Sequence, residues 1–119
     1  MKDALAQLSF ENAGDVVIVH IEGEIESSNA DDLRAALAGR LKNDSAGLIL
    51  DLTRTTYLDS SGIELVFDLA RRMRTHRQAL RLVVPPEAPM RRVLELCDID
   101  EAAPVDLTVD ESLAAVEGA

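Results

Sequence analysis

Short β-branched runs alternate with amphipathic helical stretches, and this alternation most constrains the fold of the chain. Residues 16–21 read Val-Val-Ile-Val-His-Ile and predict a strand that is covered on both faces. Further strands are predicted at 48–52 and 80–84, with weaker ones at 4–10 and at Val105. Strands that alternate with helices indicate the α/β class, here a small mixed β-sheet with amphipathic helices packed on it.

Apolar residues at helical spacing predict three helices and a short fourth one. The first follows Ser28, which we expect to be its N-cap, and its apolar stripe includes Leu33 and Leu37. The second covers about 60–75, and its broad apolar stripe predicts that it packs against the sheet. The short last helix is expected over 106–116.

Glycine and proline residues mark the ends of several predicted elements. A turn is expected at 12–15, and Gly23 is expected to close the second strand. Pro85 ends the strand at 80–84. Pro89 opens the third helix, whose inner face we expect to carry four residues: Val93, Leu94, Leu96 and Cys97.

Length, charge and cysteine content exclude several classes of function. The 119 residues suit a single domain, 1–119, that folds without a disulfide or a metal. Twenty-two acidic and 12 basic side chains give a net charge of −10, which opposes binding to nucleic acids and to anionic membranes. Cys97 is the one cysteine, so an internal disulfide is excluded. Because no signal peptide and no long apolar run is visible, we expect a cytoplasmic protein.

The segment 55–63, Thr-Thr-Tyr-Leu-Asp-Ser-Ser-Gly-Ile, lies between a predicted strand and the second helix. Asp59, Ser60 and Ser61 are all natural N-cap residues, although a helix needs only one. The segment is therefore either a redundant capping loop or a functional site. Free N–H groups and the helix dipole favour negative charge at this point, which makes Ser60 a candidate phosphate acceptor. Gly62 would let another molecule approach the backbone closely.

The charges around Ser60 predict what a phosphate there would do. Asp59 and Glu64 flank the serine, and only Arg54 lies near it in sequence. A phosphate would therefore meet like charge rather than an arginine clamp. We expect it to oppose a docked partner, with no change of fold.

These features together resemble STAS domains of the anti-sigma factor antagonist type, over about residues 5–117. The core of the resemblance is Leu-Asp-Ser-Ser-Gly-Ile at 58–63, after the strand at 48–52. Gly-Glu-Ile-Glu at 23–26 matches a second, weaker family motif. The segments 80–84 and 91–96 fit the later strand and helix of the family.

The resemblance implies a binding switch that is not itself an enzyme. Such proteins bind an anti-sigma factor that is also an ATP-dependent serine kinase, and so release a sigma factor. The kinase phosphorylates the serine after the aspartate, here Ser60, and a serine phosphatase restores it. No cofactor is expected for this chain, because ATP and Mg²⁺ belong to the kinase. The implied partner-binding residues are Asp59, Ser61, Gly62, Ile63, Glu64, Glu24 and Glu26.

Two residues depart from the family pattern. Glu26 stands where the first motif usually ends in aspartate, and Glu64 stands where the family usually has a small residue. Glu64 would place a carboxylate beside the proposed docking surface. This departure bears on the choice of partner more than on the fold.

Two alternative functions stay open. The protein could be a STAS scaffold that is not phosphorylated, as an accessory subunit of a stress-signalling or lipid-transport complex. A more distant alternative is a receiver-like domain that uses Asp51 as a phosphoaspartate, although the chain's two lysines, Lys2 and Lys42, do not follow the strand at 80–84. His20 lies in an apolar strand, where a hydrogen-bonded core imidazole is expected rather than a catalytic base.

Overall fold

The computed structural model describes residues 5–118, which form a mixed β-sheet with helices on both faces. This arrangement confirms the predicted α/β class. The elements in chain order are β1 (Ala6–Ala13), β2 (Val16–Ile25), α1 (Ala30–Arg40), β3 (Gly47–Asp51), β4 (Thr55–Leu58), α2 (Ser60–Thr75), β5 (Ala79–Val83), α3 (Arg91–Leu96), a 3-10 turn (Ile99–Glu101), β6 (Val105–Asp106) and α4 (Val109–Glu117).

The sheet has the strand order β1-β2-β3-β5-β6, and β4 pairs with the last residues of β2. β1 and β2 form an antiparallel hairpin, and Gly14 takes a φ of +62° in its turn. The other pairings are all parallel. The carboxyl ends of β2 to β6 therefore meet at one edge of the sheet, and the loops that follow these strands lie together there.

Both faces of the sheet are covered where β2 begins, which explains why the strand starts as a continuous apolar run. Val17, Val19 and Ile21 point into the larger core, formed with the apolar sides of α1, α2 and α3. Val16 and Ile18 point into a smaller core on the opposite face, which α4 covers. The prediction of a strand covered on both faces is confirmed for residues 16–19 and for Ile21, but not at His20, whose side chain is one-third exposed.

A charged network fastens α4 to the sheet. Arg81 donates to both carboxylate oxygens of Asp106, at 2.7 and 3.1 Å. The hydroxyl of Ser112, which is fully buried on α4, donates to the same carboxylate at 2.5 Å. Because the hydrogen bonds from Arg81 stabilise the carboxylate form, the pKa of Asp106 lies below its ordinary value.

The prediction that Gly23 closes the second strand is wrong, because β2 continues to Ile25. Gly23 sits inside the strand with a φ of +116°, beside an irregularity in the pairing with β4. A side chain there would bring a Cβ atom within 2.2 Å of the carbonyl oxygen of Leu5. The glycine therefore permits a close backbone contact in mid-strand instead of ending the strand.

The expected inner face of α3 is also wrong in most of its members. Leu94 is buried, whereas the side chains of Val93 and Leu96 are 42% and 69% exposed, and Cys97 is exposed. A helix of six residues makes fewer than two turns, so few of its residues can face the core. In contrast, the predicted bounds of the second helix, 60–75, agree with α2. No helix within residues 5–118 is long and apolar enough to cross a membrane.

Candidate functional site

The segment around Ser60, where β4 leads into α2, is positioned by β4, a strand that the sequence analysis did not predict. Ile25 pairs with Leu58, and both side chains are buried. The N–H of Asp59 then donates to the carbonyl oxygen of Ile25 at 3.2 Å. These contacts place the start of α2 directly beside the end of β2.

The Asp59 carboxylate is the N-cap of α2 and also joins two loops. One oxygen accepts hydrogen bonds from the backbone N–H groups of Ser61 and Gly62, at 2.8 and 3.2 Å. The other oxygen accepts from the N–H of Ser27, which is 32 residues earlier in the chain, at 3.2 Å. Asp59 therefore connects the β4–α2 loop to the β2–α1 loop.

Ser60 is the first residue of α2 and is exposed. Because Asp59 supplies the cap, neither Ser60 nor Ser61 is needed for that role. No residue among 5–118 makes a hydrogen bond with the Ser60 hydroxyl. The hydroxyl is thus open to solvent at a helix N-terminus, where the helix dipole favours an attached anion.

Gly62 has a different role from the one that the sequence suggested. The residue is buried, and it faces the protein rather than an incoming molecule. A Cβ atom at this position would lie 2.7 Å from Cγ of Leu58 and 3.2 Å from Cγ2 of Ile25. The missing side chain allows the first turn of α2 to pack closely on the ends of β2 and β4.

The β2–α1 loop is held by its own polar side chains. Asn29 accepts a hydrogen bond from the N–H of Glu26 at 2.9 Å and donates to the carbonyl oxygen of Glu24 at 2.8 Å. Asn29 occupies the N-cap position of α1, so the prediction that Ser28 is the cap is wrong. The Ser28 hydroxyl instead donates to the Glu26 carboxylate at 2.8 Å. The second sequence motif, 23–26, therefore covers the end of β2 and the first residue of this ordered loop, next to Asp59.

The predicted partner-binding residues lie around this junction of the two loops. Glu24 is exposed and pairs in register with Tyr57, whose side chain is 49% exposed. Glu64 is exposed on the first turns of α2, whereas Ile63 is half-buried and packs against the larger core. Within residues 5–118, the ion pairs do not include Glu24, Glu26 or Glu64. The surface around Ser60 is therefore acidic, and the exposed carboxylates of Glu24 and Glu64 can meet a partner.

His20 and Asp51 form a separate cluster on the sheet. His20 donates from one ring nitrogen to Asp51 at 2.6 Å and from the other to Glu11 at 2.5 Å. These bonds, first of all the one to Glu11, raise the pKa of His20 above 6.5. The imidazole is hydrogen-bonded as expected, but it is one-third exposed, so the prediction of a core position is wrong. It lies on the sheet face of Ile18, on the part that α4 leaves open.

Both carboxylate oxygens of Asp51 are hydrogen-bonded and the side chain is mostly buried, whereas a phosphate acceptor must be accessible. One carboxylate oxygen accepts from the N–H and the hydroxyl of Thr53, at 3.1 and 2.5 Å. The other oxygen accepts from His20, and the side chain is only 13% exposed. Among the described residues, no group of three or more His, Cys, Asp or Glu side chains is arranged to hold a metal ion.

Comparison with known proteins gives consistent matches over almost the whole chain. The model of the family described as "STAS domain" matches residues 7–112. BtrV of Bordetella bronchiseptica, named as a proposed anti-sigma factor antagonist, is 26% identical over 113 residues, which are 95% of this chain and 97% of BtrV.

Two solved proteins share the fold. An anti-sigma factor antagonist from Mycobacterium paratuberculosis superposes with a TM-score of 0.83 at 24% identity, covering 94% of both chains. Unphosphorylated SpoIIAA, an anti-sigma factor antagonist, has a TM-score of 0.67 at 22% identity, covering 95% of this chain and 100% of SpoIIAA. The phosphorylated form of Bacillus SpoIIAA has a TM-score of 0.65 at 20% identity, covering 92% and 99%.

Proposed function

The chain belongs to the STAS domain family, and from this premise we propose that it acts as an anti-sigma factor antagonist, the function for which BtrV is named. In this role it binds an anti-sigma factor that is also a serine kinase, and phosphorylation of Ser60 releases it. A serine phosphatase restores the binding form. The observation that carries the proposal is the exposed Ser60 hydroxyl, next to a helix cap that Asp59 already supplies.

The docking surface consists of the β2–α1 loop and the exposed side chains of the first turns of α2. Asp59 joins these two segments through its bonds to Ser61 and Ser27. A partner that covers Ser60 therefore meets a surface whose two halves are held in a fixed relation. Pre-organised surfaces of this kind lose less conformational entropy on binding.

Phosphorylation of Ser60 acts through charge. A phosphate adds about −1.5 to −2 charges at neutral pH, and the exposed carboxylate of Glu64 and the half-buried one of Asp59 already flank the site. Arg54, the arginine nearest to Ser60 in sequence, instead lines a cleft with His20 and Asp51. The new charge therefore faces outward, toward the partner.

A single charge repulsion is large enough to release the partner. Two like charges about 4 Å apart repel by about 4 kcal/mol at an effective dielectric constant of about 20. A loss of about 2.8 kcal/mol already weakens binding about a hundredfold. The switch therefore needs no rearrangement of this chain.

Mass spectrometry tests the acceptor directly. Incubation with the cognate kinase and Mg²⁺-ATP should add one phosphate to the wild type and to Ser61→Ala, and none to Ser60→Ala. The adjacent serine is a matched control, because both residues lie in the first turn of α2. A phosphate on Ser61, or on Ser60→Ala, would refute the assignment.

A charge-mimicking variant tests the release step. Ser60→Asp should weaken kinase binding by at least about tenfold with nearly the same melting temperature. Ser9→Asp adds the same charge on β1, at another exposed serine, and should bind as the wild type does. Equal losses in both variants would show that net charge alone acts, and a large drop in melting temperature for Ser60→Asp would show a structural role for Ser60.

Glu64 tests how the docking surface selects its partner. Removing its carboxylate in Glu64→Ala should change both the affinity for the kinase and the dependence of that affinity on salt concentration. The helix should tolerate alanine, because Glu64 is exposed on α2. Unchanged affinity and unchanged salt dependence would show that this departure from the family pattern is neutral.

A further inference from the structure

A cleft with an apolar floor opens beside the carboxyl end of β5, between α3, the 3-10 turn and the first residue of β6. Its floor consists of Val84, Leu94 and Ile99, which are buried, and of Val105, which is half-buried. The cleft encloses about 330 Å³, which lies within the usual range of binding clefts, roughly 300–1,000 Å³. β3 separates β5 from the β2–β4 pair, so this β5–β6 cleft and the Ser60 loop occupy different parts of the sheet edge.

The rim of the β5–β6 cleft carries an excess of negative charge. Arg91 lies across one side, where it donates to the carbonyl oxygen of Val84 and forms an ion pair with Glu95. Asp98 and Asp100, on the rim, are exposed. Neither carboxylate has an ion-pair partner among residues 5–118. Two negative charges therefore stand over an apolar floor.

The sequence that lines the β5–β6 cleft and follows it is acidic. After Arg92 the sequence contains eight acidic residues and no lysine or arginine. The whole region is therefore both apolar and acidic, which is the complement of a basic, aliphatic segment.

We propose that the β5–β6 cleft is a docking site for a partner protein segment that carries lysine or arginine next to aliphatic residues. The aliphatic stem of the cationic side chain lies on the floor of the cleft, and its charged head reaches Asp98 and Asp100. A neighbouring aliphatic side chain of the segment packs on the same apolar floor. This second surface does not depend on Ser60 or on its phosphorylation.

An NMR titration of the unphosphorylated full chain tests the site with two defined peptides. One is acetyl-Leu-Lys-Ala-Leu-Lys-Leu-amide, and the other has glutamate in place of both lysines. The lysine peptide should shift the backbone amide signals of the cleft floor and of α3 in a saturable manner, and the glutamate peptide should not. Equal shifts with both peptides, shifts centred on another surface, or no shifts would overturn the proposal.

Charge-matched variants separate the cleft from the general field of an acidic protein. Asp98→Asn with Asp100→Asn should weaken binding of the lysine peptide about fivefold. Asparagine suits position 98, where the backbone is left-handed with a φ of +53°. Asp44→Asn with Glu117→Gln removes the same charge from exposed positions outside the cleft and should weaken binding less than about twofold. Equal weakening by both pairs would overturn the proposal.

Discussion

Replacing Asp59 with alanine should separate its two contributions, the cap of α2 and the connection between the loops. Loss of an N-cap costs about 0.5–2 kcal/mol. The hydrogen bond to Ser27 adds up to about 1 kcal/mol, because that N–H is exposed and can bond to water instead. We expect Asp59→Ala to lower the free energy of unfolding by about 1–3 kcal/mol.

Thr108→Ala is the matched control, because Thr108 caps α4 through a single bond to the N–H of Glu111, away from the Ser60 loop. Urea denaturation should show a loss for both variants, with an unchanged slope. Only Asp59→Ala should speed hydrogen exchange at the Ser27 amide and weaken kinase binding. Unchanged exchange at Ser27 in Asp59→Ala would refute the inference that this carboxylate couples the two loops.

Three further substitutions test the fold with urea denaturation. The pKa of His20 is raised in the fold, so its protonated ring stabilises the fold fully below about pH 6.5, and this stabilisation is lost as the pH rises through the folded pKa. The difference in free energy of unfolding between wild type and His20→Gln should therefore be larger at about pH 5.5 than at about pH 9. A difference that does not change with pH would contradict this. Arg81→Gln leaves the mostly buried Asp106 carboxylate without its cation and should lower the free energy of unfolding by about 2–4 kcal/mol. A loss below about 1 kcal/mol would contradict a structural role for this ion pair. Gly62→Ala should lower the free energy of unfolding by about 1–3 kcal/mol through overpacking. The control Gly39→Ala lies in α1 with open space around it and should be neutral or stabilising. Equal effects of the two variants would contradict the close packing at Gly62.

Local sequence signals were sufficient to predict the bounds of an element where a capping residue and the apolar periodicity agreed. The bounds of α2 were predictable because a strong capping residue, Asp59, precedes a long stretch with one broad apolar stripe. The strand β4 was missed because it has four residues, of which only Thr55 and Leu58 are buried. Its existence depends on pairing with β2, which no periodicity within 55–58 reveals.

Other features depend on contacts that are distant in the sequence. The continuous apolar run of β2 suggested that His20 is in the core, yet α4 leaves this part of the sheet face open and Glu11 and Asp51 meet the ring there. The helical spacing of Val93 and Leu96 likewise suggested burial. Such spacing defines the faces of a helix but not how much of each face the rest of the protein covers.

The pairing of β4 with β2 also explains how two separate motifs form one surface. Parallel strands end at the same edge of a sheet, so the pairing of Ile25 with Leu58 brings the loops that follow them together. Asp59 then uses one oxygen for its own helix and the other for Ser27. The aspartate before Ser60 therefore has a structural role that does not depend on any kinase. The hydroxyl of Ser60 stays free because Asp59 makes the hydrogen bonds that the start of the helix requires.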